Sequence, residues 1–337
     1  MSSFTSSSDR GPWCRFLGSF LAVAVLAAVG SICCVLAVDP YDTGRFAVFP
    51  AVGVPKTDPR TANASRGRDA AFDWAILGNS RSQLLSPERL GTLIGGRFVS
   101  LTIPGTGPRE QLILARWAAE HHGRDLAGLV IGVDAKWCRK DSLSKSPTPF
   151  PDWLYAADWP SYALGMVRWK TLEMTVAKIA LLAGGGQAAR RDGYDDYESG
   201  RIWNRDEAHR RIVETAALES RIDSQEAGER GQFPAIEAAR KFLASLPERS
   251  MVVFVFNPVF AAALPSSGAP GAASQKACKQ DFAEMSGQRR RTALVDYFED
   301  SDLARDEQNF WDAIHYRSRL AEIIEKRIAV EIDATGH

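Results

Sequence analysis

Hydrophobic and polar residues fall along the chain in two patterns. From Phe16 to Val38 (FLGSFLAVAVLAAVGSICCVLAV) no charged residue occurs. As a helix rising about 1.5 Å per residue, this run reaches roughly 34 Å, enough to cross the ~30 Å hydrocarbon core of a bilayer. Beyond it, short apolar runs alternate with amphipathic stretches. Phe72–Leu77, Arg97–Ile103, Leu126–Val133, Met251–Phe256 and Ala293–Phe298 predict strands, because they are short, apolar and rich in β-branched or aromatic residues. Between and after them, Pro87–Ile94, Arg109–His121, Ile236–Leu246, Gln275–Arg290 and Arg317–Ile332 predict helices. In the last, Leu320, Ile323, Ile324 and Ile328 share one face.

Strand and helix alternating in this order predict an α/β fold over residues 71–337: a parallel sheet in a three-layer α/β/α arrangement. Residues 139–235 break the alternation. Tyr162–Leu182 and Glu207–Ala227 predict helices there, so the stretch reads as a helical insertion into the domain. Residues 39–70, rich in Pro, Gly, Ala and charge, predict a linker.

The apolar run decides the compartment. Arg10 and Arg15 precede it with only Asp9 opposing, while Asp39 and Asp42 follow. By the positive-inside rule, residues 1–15 lie in the cytoplasm, 16–38 span the inner membrane once, and the bulk faces the periplasm or cell exterior. Val35-Leu36-Ala37 also resembles a signal-peptidase site, which would release the domain on the same side. Export bears on the cysteines. Cys14, Cys33 and Cys34 belong to the anchor, leaving Cys138 and Cys278 as a candidate disulfide in an oxidising compartment.

Charge excludes more than it identifies. The chain carries 41 Lys+Arg and 41 Asp+Glu, so no net field draws in nucleic acid. The acidic stretch Asp192–Glu198 lacks calcium-loop spacing, no CxxC, HExxH or phosphate-loop motif occurs, and no metal or cofactor is expected.

Chemistry in a parallel sheet gathers beyond the C-terminal strand ends. Gly78-Asn79-Ser80-Arg81 follows the first strand and Pro104-Gly105-Thr106-Gly107 the second. Asp134 follows the third, and Asp312-Ala313-Ile314-His315 precedes the last helix. Ser80 needs a base to act as a nucleophile, and His315 is the histidine at a loop-to-helix junction. Asp312 could orient its imidazole, and the backbone amides of Ser80 and Gly105 could hold an oxyanion. Arg81 could bind an anionic substrate or pair with an acid such as Asp134. Trp137, Trp153, Tyr155 and Trp159 could stack on sugar rings or pack inside the protein. Cys138 could act as a thiol nucleophile or form the disulfide.

This layout resembles the SGNH/GDSL hydrolase superfamily. Ile76-Leu77-Gly78-Asn79-Ser80-Arg81 is similar to its first block, Gly105 to its second-block glycine, and Phe310–Arg317 (FWDAIHYR) to its last. The anchor, Asp39-Pro40-Tyr41 and the Gly-x-Ser-Arg block resemble membrane-anchored bacterial members. The resemblance covers about residues 70–135 and 248–332. It implies an SGNH/flavodoxin-like fold and a triad of Ser80, His315 and Asp312. It also implies ester hydrolysis or O-acyl transfer on an acylated small molecule or envelope polysaccharide. From their places beyond the strand ends, Arg81 and Asp134 are expected near the substrate.

Asn79 stands in the usual Asp position of the first block, and one further departure matters more. The third block supplies an oxyanion-stabilising Asn in the family, and here Asp134 stands there. An ionised carboxylate would repel a developing oxyanion. Three alternatives follow: Asp134 is protonated, it points elsewhere, or the chemistry is altered or lost. In the last case the domain would be a catalytically inactive binding or assembly protein of the envelope.

Overall fold

A computed structural model of the protein describes residues 10–46, 48–49, 53–225 and 227–336. Residues 1–9 of the expected cytoplasmic segment lie outside the described residues. The first described element is the helix α1 (Arg10–Val38), which is long and apolar enough to cross a membrane. Phe16, Leu17, Phe20, Leu21, Val25 and Leu26 on it are exposed.

Five parallel strands follow: β1 (Trp74–Leu77), β2 (Phe98–Ser100), β3 (Gly128–Val133), β4 (Met251–Phe256) and β5 (Thr292–Asp296). Their order across the sheet is β2-β1-β3-β4-β5. Ile76 pairs with Val130, Val130 with Val253, and Val253 with Ala293, giving one continuous register. β1, β3 and β4 are buried along their whole length. A strand covered on both faces has no polar side to show, so each reads as an apolar run rather than an alternation.

Helices α2 (Pro59–Arg66), α3 (Pro87–Ile94) and α4 (Pro108–His122) lie in the first half, with α9 (Pro234–Ser245), α10 (Pro270–Gly287) and α12 (Ser318–Gly336) in the second. α12 packs on α3 and on β5, while α4, α9 and α10 pack among themselves and on the sheet. The order reverses between β1 and β3, which sends the crossovers to opposite faces and leaves a crevice beyond the strand ends there.

The insertion is helical: α5 (Asp152–Tyr155), α6 (Trp159–Met166), α7 (Trp169–Leu182) and α8 (Arg205–Gln225). It leaves and returns at one place, because Arg139 and Ala227 form an antiparallel bridge. Next to that bridge, Cys138 and Cys278 are joined by a disulfide with an S–S length of 2.08 Å. Cys138 is therefore no thiol nucleophile. A short α11 (Asp302–Arg305) precedes the last loop.

Two sequence expectations need correction. Residues 39–70 are no linker, since they hold α2, and Asp39, Tyr41, Asp42 and Thr43 are buried. Asp39 and Asp42 take positive φ (44° and 51°), and their carboxylates bind the neighbouring chain. Asp39 accepts from the Gly44 amide at 2.7 Å, while Asp42 accepts from Ser65 Oγ at 2.7 Å and pairs with Arg68 at 2.9 Å. The Tyr41 ring meets Trp153 edge-on with centroids 5.6 Å apart. The end of α1 is thereby fixed to the domain. The second correction concerns Tyr162–Leu182, which is two helices, α6 and α7. Gly165 lies against the Trp153 ring, and Val167 and Arg168 turn the chain between the helices.

Candidate active site

The residues after β1 form a tight turn. Asn79 adopts an extended conformation, and its Oδ1 accepts from the Arg81 amide at 3.0 Å. That cap starts a short 3-10 turn at Ser80, lifting its hydroxyl from the strand end. The turn fits because of glycine. A Cβ at Gly78 or Gly132 would collide with Ser82, whose Oγ instead accepts from Asn257 Nδ2 at 3.0 Å.

The loop before α12 brings the base. Phe310 and Tyr316 form an antiparallel bridge, and the Trp311 amide donates to the His315 carbonyl at 2.8 Å. Inside this loop Asp312 Oδ1 accepts from the amides of Ile314 and His315, both at 2.9 Å. Its other oxygen lies 2.8 Å from His315 Nδ1, and His315 Nε2 lies 2.8 Å from Ser80 Oγ. Residues 235 positions apart thus form one chain of hydrogen bonds.

Protonation follows from the partners. Burial pushes the Asp312 carboxyl up, but the hydrogen bond and charge of His315 and the two loop amides hold it below the ordinary carboxylate value. An ionised carboxylate can only accept, so Nδ1 carries the ring proton and donates. Nε2 is then a free acceptor facing the Ser80 hydroxyl. Ser80 and His315 are half-buried, so the site is open to solvent.

Among the described residues, neither the Ser80 amide nor the Gly105 amide donates to a backbone carbonyl. Gly105 has φ of 73° in the turn after β2, a conformation that favours glycine, and no atom stands near its Cβ position. The next residue, Thr106, accepts from Asn79 Nδ2 through its carbonyl at 3.4 Å, which brings the Gly105 turn to the end of β1.

Asp134 is engaged within the protein through both carboxylate oxygens. Its Oδ1 accepts from the Lys136 amide at 3.0 Å and its Oδ2 accepts from Asn79 Nδ2. Both side chains are buried, at 6% and 9% exposure, so this contact across the sheet crevice is shielded from water. Of the three alternatives, the geometry matches the second: the carboxylate points elsewhere. Arg81 is likewise engaged, with Glu219 of α8 at 2.9 Å. Both residues expected near the substrate thus have partners within the protein.

Sequence reasoning missed the insertion's part. Glu198 accepts from Trp311 Nε1 at 2.8 Å, from Arg317 at 3.1 Å and from the Ser318 amide at 2.7 Å. Tyr197 sets its ring edge-on to His315 at 6.2 Å and donates its hydroxyl to the Tyr316 carbonyl at 2.8 Å. Trp203 Nε1 donates to the Phe310 carbonyl at 3.0 Å. The stretch Asp192–Glu198 is thus a clamp on the His315 loop. Its only sequence signal was acidic and aromatic residues packed into seven positions. Of the expected sugar-stacking aromatics, Trp137, Trp153 and Tyr155 pack into the domain, and Trp159 is half exposed beside Phe46 and Tyr162.

No protein-family model matches the chain, and no curated protein matches it.

Proposed function

We propose that the protein is a membrane-anchored, extracytoplasmic serine esterase or O-acyltransferase of the SGNH type. The observation that carries this reading is the hydrogen-bonded chain Ser80–His315–Asp312, with 2.8 Å at both links. The disulfide between Cys138 and Cys278 supports placing the domain in an oxidising compartment. With α1 as a single span of the inner membrane, the charges around it favour the bulk lying outside the cytoplasm.

In this reading Ser80 Oγ attacks the ester carbonyl as its proton passes to His315 Nε2. The amides of Ser80 and Gly105 stabilise the oxyanion. Asp312 stabilises the imidazolium without taking its proton. Collapse expels the alcohol, which takes the proton from Nε2 and leaves an acyl-Ser80. Water, or a sugar hydroxyl, then loses its proton to Nε2 and attacks the acyl carbon, and the same proton returns to Ser80. Water yields the free acid; a sugar hydroxyl yields a new ester. An acylated envelope polysaccharide is the substrate class that the resemblance implies.

The inactive-binder reading drew its support from Asp134. With both carboxylate oxygens engaged by Asn79 and Lys136, that support weakens. A fluorophosphonate probe on the full-length, detergent-solubilised protein tests the proposal. Labelling is expected in the wild type and absent in Ser80→Ala. Equal labelling of both would sink the triad, and folded wild-type protein that takes no label would favour the binder.

A further inference from the structure

We propose that the helices α6 and α7 of the insertion form a second membrane element, whose outer face lies in the lipid interface beside α1. This rests on α1 spanning the bilayer.

The polarity of α7 is partly inverted for a helix in water. Thr171, Thr175 and Lys178 are buried beside Met174, while Lys170 and Glu173 remain exposed. Thr171 Oγ1 shares a hydrogen bond with the Tyr41 hydroxyl at 3.3 Å, and Lys178 Nζ donates to the Gly53 carbonyl. Facing outward are Trp169, Leu172, Val176 and Ile179, exposed by 76%, 38%, 68% and 44%. Their spacing of three, four and three puts them on one face. A water-facing helix shows the reverse arrangement. Leu164 and Val167, exposed by 74% and 64%, extend the patch onto α6 and the turn that follows it. An exposed apolar surface of this kind marks an interaction site.

Continuity with α1 identifies the occupant as lipid. α6 and α7 pack against α1, sharing a groove with its Ile32, Val35 and Leu36. Ile32 lies about 9 Å along the helix from its end at Val38, by the ordinary helical rise. The groove continues along α1 to Ala28, about 15 Å from that end, so the hairpin meets the outer half of a ~30 Å span. Trp159 and Trp169 are the residue type that favours this boundary. The charges on this side suit it too. Arg168 lies over the Trp153 ring at 5.4 Å, and Lys170 pairs with Glu173 at 2.9 Å. Long stems let such groups reach the headgroups while the helix stays at the boundary.

The test uses the full chain with Cys14, Cys33 and Cys34 replaced by Ser, reconstituted into phosphatidylcholine vesicles. A single spin label is placed at Val176→Cys, at Val23→Cys on α1, or at Asp125→Cys, whose native side chain is 97% exposed. Collisions with oxygen, which partitions into lipid, are compared with those of a water-soluble nickel chelate. Labels at 176 and 23 should both favour oxygen several-fold, and the label at 125 should favour the chelate. If 176 behaves like 125 while 23 favours oxygen, the hairpin lies in water and the proposal is wrong. Spin–spin broadening at 176 with both collisions suppressed would put a second copy on this face instead of lipid, also overturning it. A label at 23 that favours the chelate would refute the anchor itself, and the hairpin proposal with it.

Discussion

Replacing Asp312 with Asn exchanges one oxygen for an NH₂ group, and the loop geometry dictates which one. Asp312 Oδ1 accepts from two backbone amides, Ile314 and His315, while Oδ2 faces His315 Nδ1. In Asp312→Asn the single remaining oxygen keeps the two amides, because turning it away would leave both unpaired. The new Nδ2 group then faces Nδ1 as a donor. Nδ1 must accept, so the ring proton moves to Nε2, which can no longer take the Ser80 proton. The fold survives while the chemistry stops. By analogy with measured triads, the loss should be about 10³–10⁴-fold in kcat, or about 4–5.5 kcal/mol of transition-state stabilisation. Hydrolysis of p-nitrophenyl acetate by the full-length protein in detergent measures it. ¹⁵N spectra of His315 should show the proton on Nδ1 in the wild type and on Nε2 in the variant. A loss below about tenfold with the tautomer inverted would refute the role given to His315.

Three further predictions concern stability. Asn79→Asp alone should set two carboxylates together in a buried contact and destabilise by about 3 kcal/mol, whereas Asn79→Asp with Asp134→Asn should recover most of that; additive losses in urea unfolding would show that the two side chains do not interact. The disulfide closes a loop of 140 residues, for which chain entropy gives up to about 5 kcal/mol, so Cys138→Ala with Cys278→Ala should lower stability by about 2–5 kcal/mol; an unchanged thermal midpoint would contradict this. Because the folded carboxyl of Asp312 lies below its ordinary 3.8, its stabilisation is complete above that value and fades as pH falls through the lower folded one; wild-type stability should therefore drop below pH 3.8 more steeply than that of Asp312→Asn, and parallel curves would argue against the ion pair.

The parts of the fold that sequence revealed share a physical cause. Met251–Phe256 is read correctly to the residue because burial on both faces leaves no polar position to blur its ends. β2 is regular only over Phe98–Ser100, but the Leu101 and Ile103 amides still donate to the Ile76 and Gly78 carbonyls at 2.8 and 3.0 Å, so the apolar run Arg97–Ile103 marks how far the chain follows β1. Residues 39–70 misled because Pro, Gly and charge usually mark solvated chain. Here the charges are satisfied internally, by Arg68 on Asp42 and by the Gly44 amide on Asp39. Local composition carries no trace of such partners.

Asp134 shows the same limit at the site. Judged singly, a carboxylate at the third block opposes an oxyanion. Judged with Asn79, it is half of a pair: one amide donor and one carboxylate in contact between the ends of β1 and β3. Asn79, next to Ser80, is the neutral partner, so the charge sits on β3, held by the Lys136 amide and by Asn79 itself. The insertion braces the site. Glu219 draws Arg81 towards α8, and Glu198 with Tyr197 and Trp203 holds the His315 loop. Blocks separated by more than 200 residues acquire their geometry from a segment to which the family resemblance assigned no role.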